Sequence, residues 1–94
     1  MYHVYMLASG RHGTLYIGMT NSIRGRLEQH RAGHGSEFVA NYKVHRLVYL
    51  GGYDSAEDAI RREKQLKNWK RDWKISLIET DNPEWADLSD LIAE

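Results

Sequence analysis

The 94 residues contain no cysteine, which excludes a disulfide framework and any zinc site built on thiolates. Proline occurs once, at Pro83, so the chain has a single strong break and no proline-rich linker. No apolar run approaches the roughly 18 residues needed to span a bilayer. A basic-then-apolar leader is missing at the N-terminus. The expectation is a cytoplasmic protein with no membrane partner. Internal repeats and low-complexity segments are also missing, so the length points to one small domain.

Net charge is zero, but its distribution is uneven. All 13 Lys and Arg fall in residues 1–74, together with 7 acids, giving +6. Residues 75–94 hold 6 acids and no Lys or Arg, giving −6. Such a split fits a basic binding body with an acidic tail, and equally fits acidic and basic surfaces that pair within the fold.

Two short runs rich in Tyr, Val and Ile come first: His3-Val4-Tyr5-Met6-Leu7 and Leu15-Tyr16-Ile17-Gly18-Met19. Gly10 and Gly13 lie between them, so the pair reads as a hairpin. A four-residue loop closing Ala8 on Gly13 would set Tyr5 directly opposite Tyr16. The two phenols would then share one sheet face, with Cβ atoms roughly 5 Å apart. Thr20-Asn21-Ser22 is a run of helix-opening residues. In the helix that follows, Ile23 and Leu27 should point inward. Arg26 and His30, four apart, share a face and would suit a phosphate: a planar fork beside a group that can donate or take a proton. An ordinary solvent-facing pair satisfies the same spacing. Gly25 costs about 1 kcal/mol in a helix and would permit close approach of a backbone or ligand. Gly33 and Gly35 end the helix.

Residues 32–45 read as a polar connection anchored by Phe38, Val39 and Tyr42, with His34, Lys43 and His45 as surface residues or substrate contacts. Arg46 to Tyr53 reads as a third strand, covered on both faces, with a bend or bulge at Gly51-Gly52. Ser55-Ala56-Glu57-Asp58 opens a further helix as a capping box. Its apolar stripe of Ala56, Ala59, Ile60 and Leu66 also carries Glu63. An inward carboxylate is costly unless it is paired, for which Arg26 is a candidate, or bound to a metal. Trp69, Trp73 and Leu77 continue a four-residue spacing, with a kink near Lys70-Arg71. After Pro83, the residues Trp85, Leu88, Leu91 and Ile92 form the apolar side of a short terminal helix.

Val-Tyr in one strand, Tyr16-Ile17-Gly18 in the next, then a helix with Arg26 four residues before His30, and Glu63 further on, resemble the GIY-YIG nuclease domain, closest to its small single-domain bacterial members. The resemblance covers about residues 2 to 78. The first triplet here is His3-Val4-Tyr5 rather than Gly-Ile-Tyr, and only its tyrosine carries chemistry in the family. The implied fold is α/β (α+β), a small three-stranded antiparallel sheet flanked by helices, over residues 1–80. Residues 81–94 would form an acidic tail or short helix rather than a second domain. The implied activity is DNA phosphodiester hydrolysis, in repair or recombination. The sequence shows no separate DNA-reading module, so selection should be by structure rather than sequence, with branched and nicked DNA among the candidate forms. Tyr5 would activate water, Tyr16 orient the water or the phosphate, Arg26 neutralise the phosphate, His30 assist, and Glu63 bind Mg²⁺ or Mn²⁺. For Tyr5 to act as a base, nearby positive charge must lower a pKa that is ordinarily near 10. The alternatives are a catalytically silent nucleic-acid-binding module and a protein-interaction domain of the same fold, as a monomer or weak homodimer.

Overall fold

A computed structural model describes residues 1–33 and 43–92. Phe38, Val39, Tyr42 and His34 lie outside the described residues. Strands β1 (Tyr2–Ala8) and β2 (Leu15–Thr20) form the hairpin, followed by α1 (Ile23–Arg31). Strand β3 (Arg46–Tyr53), α2 (Ala56–Asn68) and α3 (Arg71–Asp81) come next, and a single 3-10 turn, Leu88–Leu91, closes the described chain. The sheet is three-stranded and antiparallel, in the order β2-β1-β3.

The central strand β1 is buried from Val4 through Ala8, because each sheet face is covered. Val4, Met6 and Ala8 join Ala59 and Leu66 of α2, Ile78 of α3 and Trp85 in one core. Tyr5 and Leu7 point the other way and meet Ile23 and Leu27 of α1 with Val44 and Leu47. Period-2 alternation therefore sorts β1 into two cores, which is why its sequence is apolar throughout.

Local signals set the helix ends. The Ser55 hydroxyl accepts from the Asp58 N–H at 3.2 Å and opens α2. Gly33, at φ +83°, follows the last turn of α1 in the left-handed region that closes helices. The kink anticipated near Lys70-Arg71 is a full break, with Trp69 extended at ψ 150° as the cap of α2. Ile60, placed on the inward stripe by its spacing, is 39% exposed; the buried stripe runs through Ala59 and Leu66, with Glu63 between them half-buried. Gly51 and Gly52 stay in the ladder opposite Val4 and His3, and the register shift falls instead between Met6 and Leu7.

Beyond Pro83 the chain packs onto the body. Trp85 is fully buried and donates its indole N–H to Glu79 Oε2 at 2.7 Å. Leu88 and Ile92 pack on the α1 side of the sheet. Asp87 accepts from Arg31 at 3.2 Å and from the Leu47 N–H at 3.3 Å, tying the tail to α1 and β3. The short terminal helix that the apolar spacing suggested is four residues of 3-10 helix. So short a turn is held by its contacts rather than by propensity.

Candidate active site

The hairpin register differs from the four-residue-loop reading. Ala8 pairs with Leu15, so six residues make the connection and Tyr5 faces Gly18 rather than Tyr16. The extra residues are ordered by the hairpin itself: the Ser9 N–H bonds the Thr14 carbonyl at 3.0 Å, and the Thr14 N–H bonds the Ser9 hydroxyl at 2.9 Å. A shift of two residues keeps every side chain on its face. Tyr16 is thus the diagonal neighbour of Tyr5, with ring centroids 6.4 Å apart.

Gly18 has a role that its place in the sequence does not announce. A Cβ built there would lie 2.4 Å from the Tyr5 hydroxyl oxygen and 2.6 Å from its Cζ. The bare backbone at 18 is the bed on which the Tyr5 ring lies.

Helix α1 brings His30 onto these rings. His30 is 1% exposed, not a surface residue, because its turn follows Ile23 and Leu27 into the core. Its Nε2 is 3.0 Å from the Tyr5 hydroxyl, and its ring meets Tyr16 edge-on at 5.3 Å. Its Nδ1 is buried with no hydrogen-bond partner among the described residues. Arg26, one turn earlier, is near enough for its guanidinium to act on the Tyr5 hydroxyl. Tyr5, Tyr16, Arg26 and His30 therefore share one patch.

Charge and burial compete in that patch. Burial raises the Tyr5 pKa above its usual value near 10, the neighbouring Tyr16 raises it further, and Arg26 pulls it down without reversing the outcome. Arg26 by itself does not lower the tyrosine pKa: desolvation of the phenolate outweighs the guanidinium. His30 is pushed below its ordinary 6.5, first by burial, then by the charges of Arg26 and His45. Both members of the Tyr5–His30 pair are neutral at pH 7.

Glu63 reaches the patch from α2, close enough for its charge to act on the Tyr5 hydroxyl. Its side chain is 20% exposed and pairs with Lys67 of the same helix at 3.4 Å, not with Arg26. No group of three His, Cys, Asp or Glu side chains is placed to enclose a metal among the described residues. One half-buried carboxylate beside two tyrosines, an arginine and a histidine would suit a hard cation that keeps most of its waters, the habit of Mg²⁺. It does not suit a caged ion such as structural zinc. Among the described residues Gly25 shows no close approach to a second segment: the atoms nearest a Cβ there belong to Ser22, at 3.0 and 3.9 Å. His45 is half-buried and Lys43 is exposed at the start of β3's approach.

Comparison with known proteins bears on the same residues. A family model described as the GIY-YIG catalytic domain matches residues 1–76. A UPF0213 protein of Staphylococcus haemolyticus, SH2523, is 30% identical over 77 residues, covering 82% of this chain and 94% of that one. A UPF0213 protein of Staphylococcus aureus strain N315 is 29% identical over 76 residues, covering 81% and 93%. The solution NMR structure of the UPF0213 protein BH0048 from Bacillus halodurans superimposes with a TM-score of 0.58 at 26% identity, covering 100% of both chains. No described helix is long and apolar enough to cross a membrane.

Proposed function

The chain belongs to the GIY-YIG catalytic domain family, a family of nucleases that act on DNA and generally use divalent metals, and from that premise we propose that it is a divalent-metal-dependent endonuclease selecting DNA by structure rather than by sequence. The observation that carries the reading is the 3.0 Å contact between the Tyr5 hydroxyl and His30 Nε2, inside a patch that also holds Arg26 and feels Glu63. A neutral phenol in contact with a neutral imidazole is an acid–base pair with a defined direction of proton flow.

In this scheme the Tyr5 hydroxyl donates to His30 Nε2, which places the imidazole proton on Nδ1. As water attacks the phosphorus, Tyr5 takes its proton and passes its own to His30. The phosphorus–oxygen bond to the leaving nucleotide breaks as the new one forms. No standing phenolate is needed, which reconciles the raised Tyr5 pKa with a role as base. Arg26 offsets the charge that accumulates on the phosphate oxygens, and Tyr16 orients the water from the side. Glu63 would hold the cation, Mg²⁺ or Mn²⁺, whose positive charge would stabilise the oxygen that departs.

We place this activity in DNA repair or recombination in the cytoplasm, on branched or nicked substrates, since no separate base-reading element accompanies the patch among the described residues. The test is incubation of the purified protein with a panel of linear, nicked and branched DNAs, with Mg²⁺, with Mn²⁺ and with chelator. Metal-dependent cutting of branched or nicked forms supports the reading. Salt-dependent binding without cutting would favour a silent binding module, and no binding at low salt a protein-interaction domain.

A further inference from the structure

A cleft of about 210 Å³ opens at the free edge of the sheet, lined by Leu15, Tyr16 and Ile17 of β2 with Lys67 of α2 and Lys74 of α3. It straddles the edge strand. Tyr16 belongs to the face that carries Tyr5 and His30, while Ile17 belongs to the face packed on α2 and α3. One wall of the cleft is therefore the same phenol that meets His30 at 5.3 Å. Its Lys67 ammonium lies 3.4 Å from the Glu63 carboxylate. The cleft is thus continuous with the candidate active site at two of its residues.

Several cations elsewhere are already engaged. Arg31 is held by Asp87, Arg61 by Asp58, Arg46 by the Trp85 carbonyl, and Arg71 by the carbonyls of His12 and Gly13. Lys74 has no carboxylate within ion-pair distance among the described residues, and its side chain faces this cleft. A chain with zero net charge gains little from a general field. Its attraction for a polyanion has to come from places such as this, where uncompensated positive charge adjoins the site. A lysine binds phosphate as a point charge and reads no base, which suits a structure-selective enzyme.

We propose that Lys67 and Lys74 form a seat for a second backbone phosphate of the DNA strand, adjacent to the phosphate held at Arg26, with Leu15 and Ile17 as an apolar floor under the intervening sugar. The proposal rests on the nuclease reading for its substrate. In it the strand runs around the β2 edge, from the Tyr5–His30 patch toward α3, and the two lysines are positioning residues. Bound phosphate also draws Lys67 away from Glu63, leaving that carboxylate to the cation.

The test is a salt titration of duplex DNA binding by the full chain in chelator, comparing wild type, Lys74→Gln, Lys74→Arg, Lys67→Gln and the exposed control Arg61→Gln. Each phosphate contact contributes about −0.9 to the slope of log K against log salt on duplex DNA. Lys74→Gln should flatten the slope by about that amount, Lys67→Gln likewise, and Lys74→Arg should restore it. Arg61→Gln should leave it unchanged. In cleavage with Mg²⁺, Lys74→Gln should raise KM and spare kcat. A wild-type slope and KM in Lys74→Gln overturns the seat while leaving the nuclease reading intact. Lysine-dependent binding by a wild type that never cuts overturns the nuclease reading while leaving the seat. A wild type that does not bind DNA overturns both.

Discussion

Tyr5 lies directly across the ladder from Gly18, and its ring occupies the space a side chain at 18 would need, 2.4 Å from a Cβ placed there. The close approach fixes the phenol against the sheet and aims its hydroxyl at His30.

Gly18→Ala should therefore expel the Tyr5 ring from its bed. Overpacking of this kind costs about 1–3 kcal/mol, within what a small domain can lose and still fold. Cleavage should fall with it, because the hydroxyl leaves Nε2. Thermal unfolding and kcat measured on the same sample check both; full activity in a stable Gly18→Ala protein would show that the bed is not needed.

Glu63→Gln keeps size and removes the charge proposed to hold the cation. The fold should persist, since among the described residues Glu63 pairs only with the half-exposed Lys67 and such pairs contribute little to stability. DNA binding should be largely retained. Metal-dependent cleavage should drop at least about a hundredfold, the scale of losing one transition-state charge stabiliser. Cutting at the wild-type rate would remove Glu63 from the metal's ligands.

The Tyr5–His30 pair predicts an acid limb in the rate. His30 must be neutral to receive the phenol's proton, and its pKa lies below 6.5 in the fold. Activity should hold as pH falls through 6.5 and decline only below it, at the lowered His30 value. Stability follows the same sign. A depressed folded-state pKa contributes stability that is present above the unfolded value of about 6.5 and lost as pH falls through the folded value. Tyr5→Phe should lower kcat by about 10²–10⁴ and abolish that limb. An unchanged limb in Tyr5→Phe would assign the titration to another group.

The tail supplies a prediction about charge and another about packing. Trp85→Ala should cost about 3–5 kcal/mol, as for a large aromatic removed from a core. Truncation after Thr80 would therefore destabilise the body, and it is a poor probe of the acids. Glu84→Gln with Asp90→Asn, both exposed, removes charge and leaves Trp85 in place. DNA binding should tighten a few-fold at low salt and the gain should vanish near 1 M, where screening acts over about 3 Å. Equal affinity at every salt concentration would detach the tail's acids from the binding surface.

Sequence by itself determined the elements and the cast of residues. Short apolar runs, the Ser55 cap, Gly33 and Pro83 are local signals, and local backbone physics acts on them without help from distant parts of the chain. The face shared by Tyr5 and Tyr16 was also legible, because a register error of two residues preserves pleat parity. Partners across the chain were decided by tertiary packing. The spacing of Arg26 and His30 fits a wet helix face as well as a buried one, and only packing of α1 on the sheet put His30 at 1% exposure against Tyr5. Glu63 could have paired with Arg26; its partner in the fold is Lys67, four residues on in the same helix, a pairing that local helix geometry provides. The Tyr5 pKa turned on desolvation, a property of the assembled surroundings that no residue spacing encodes.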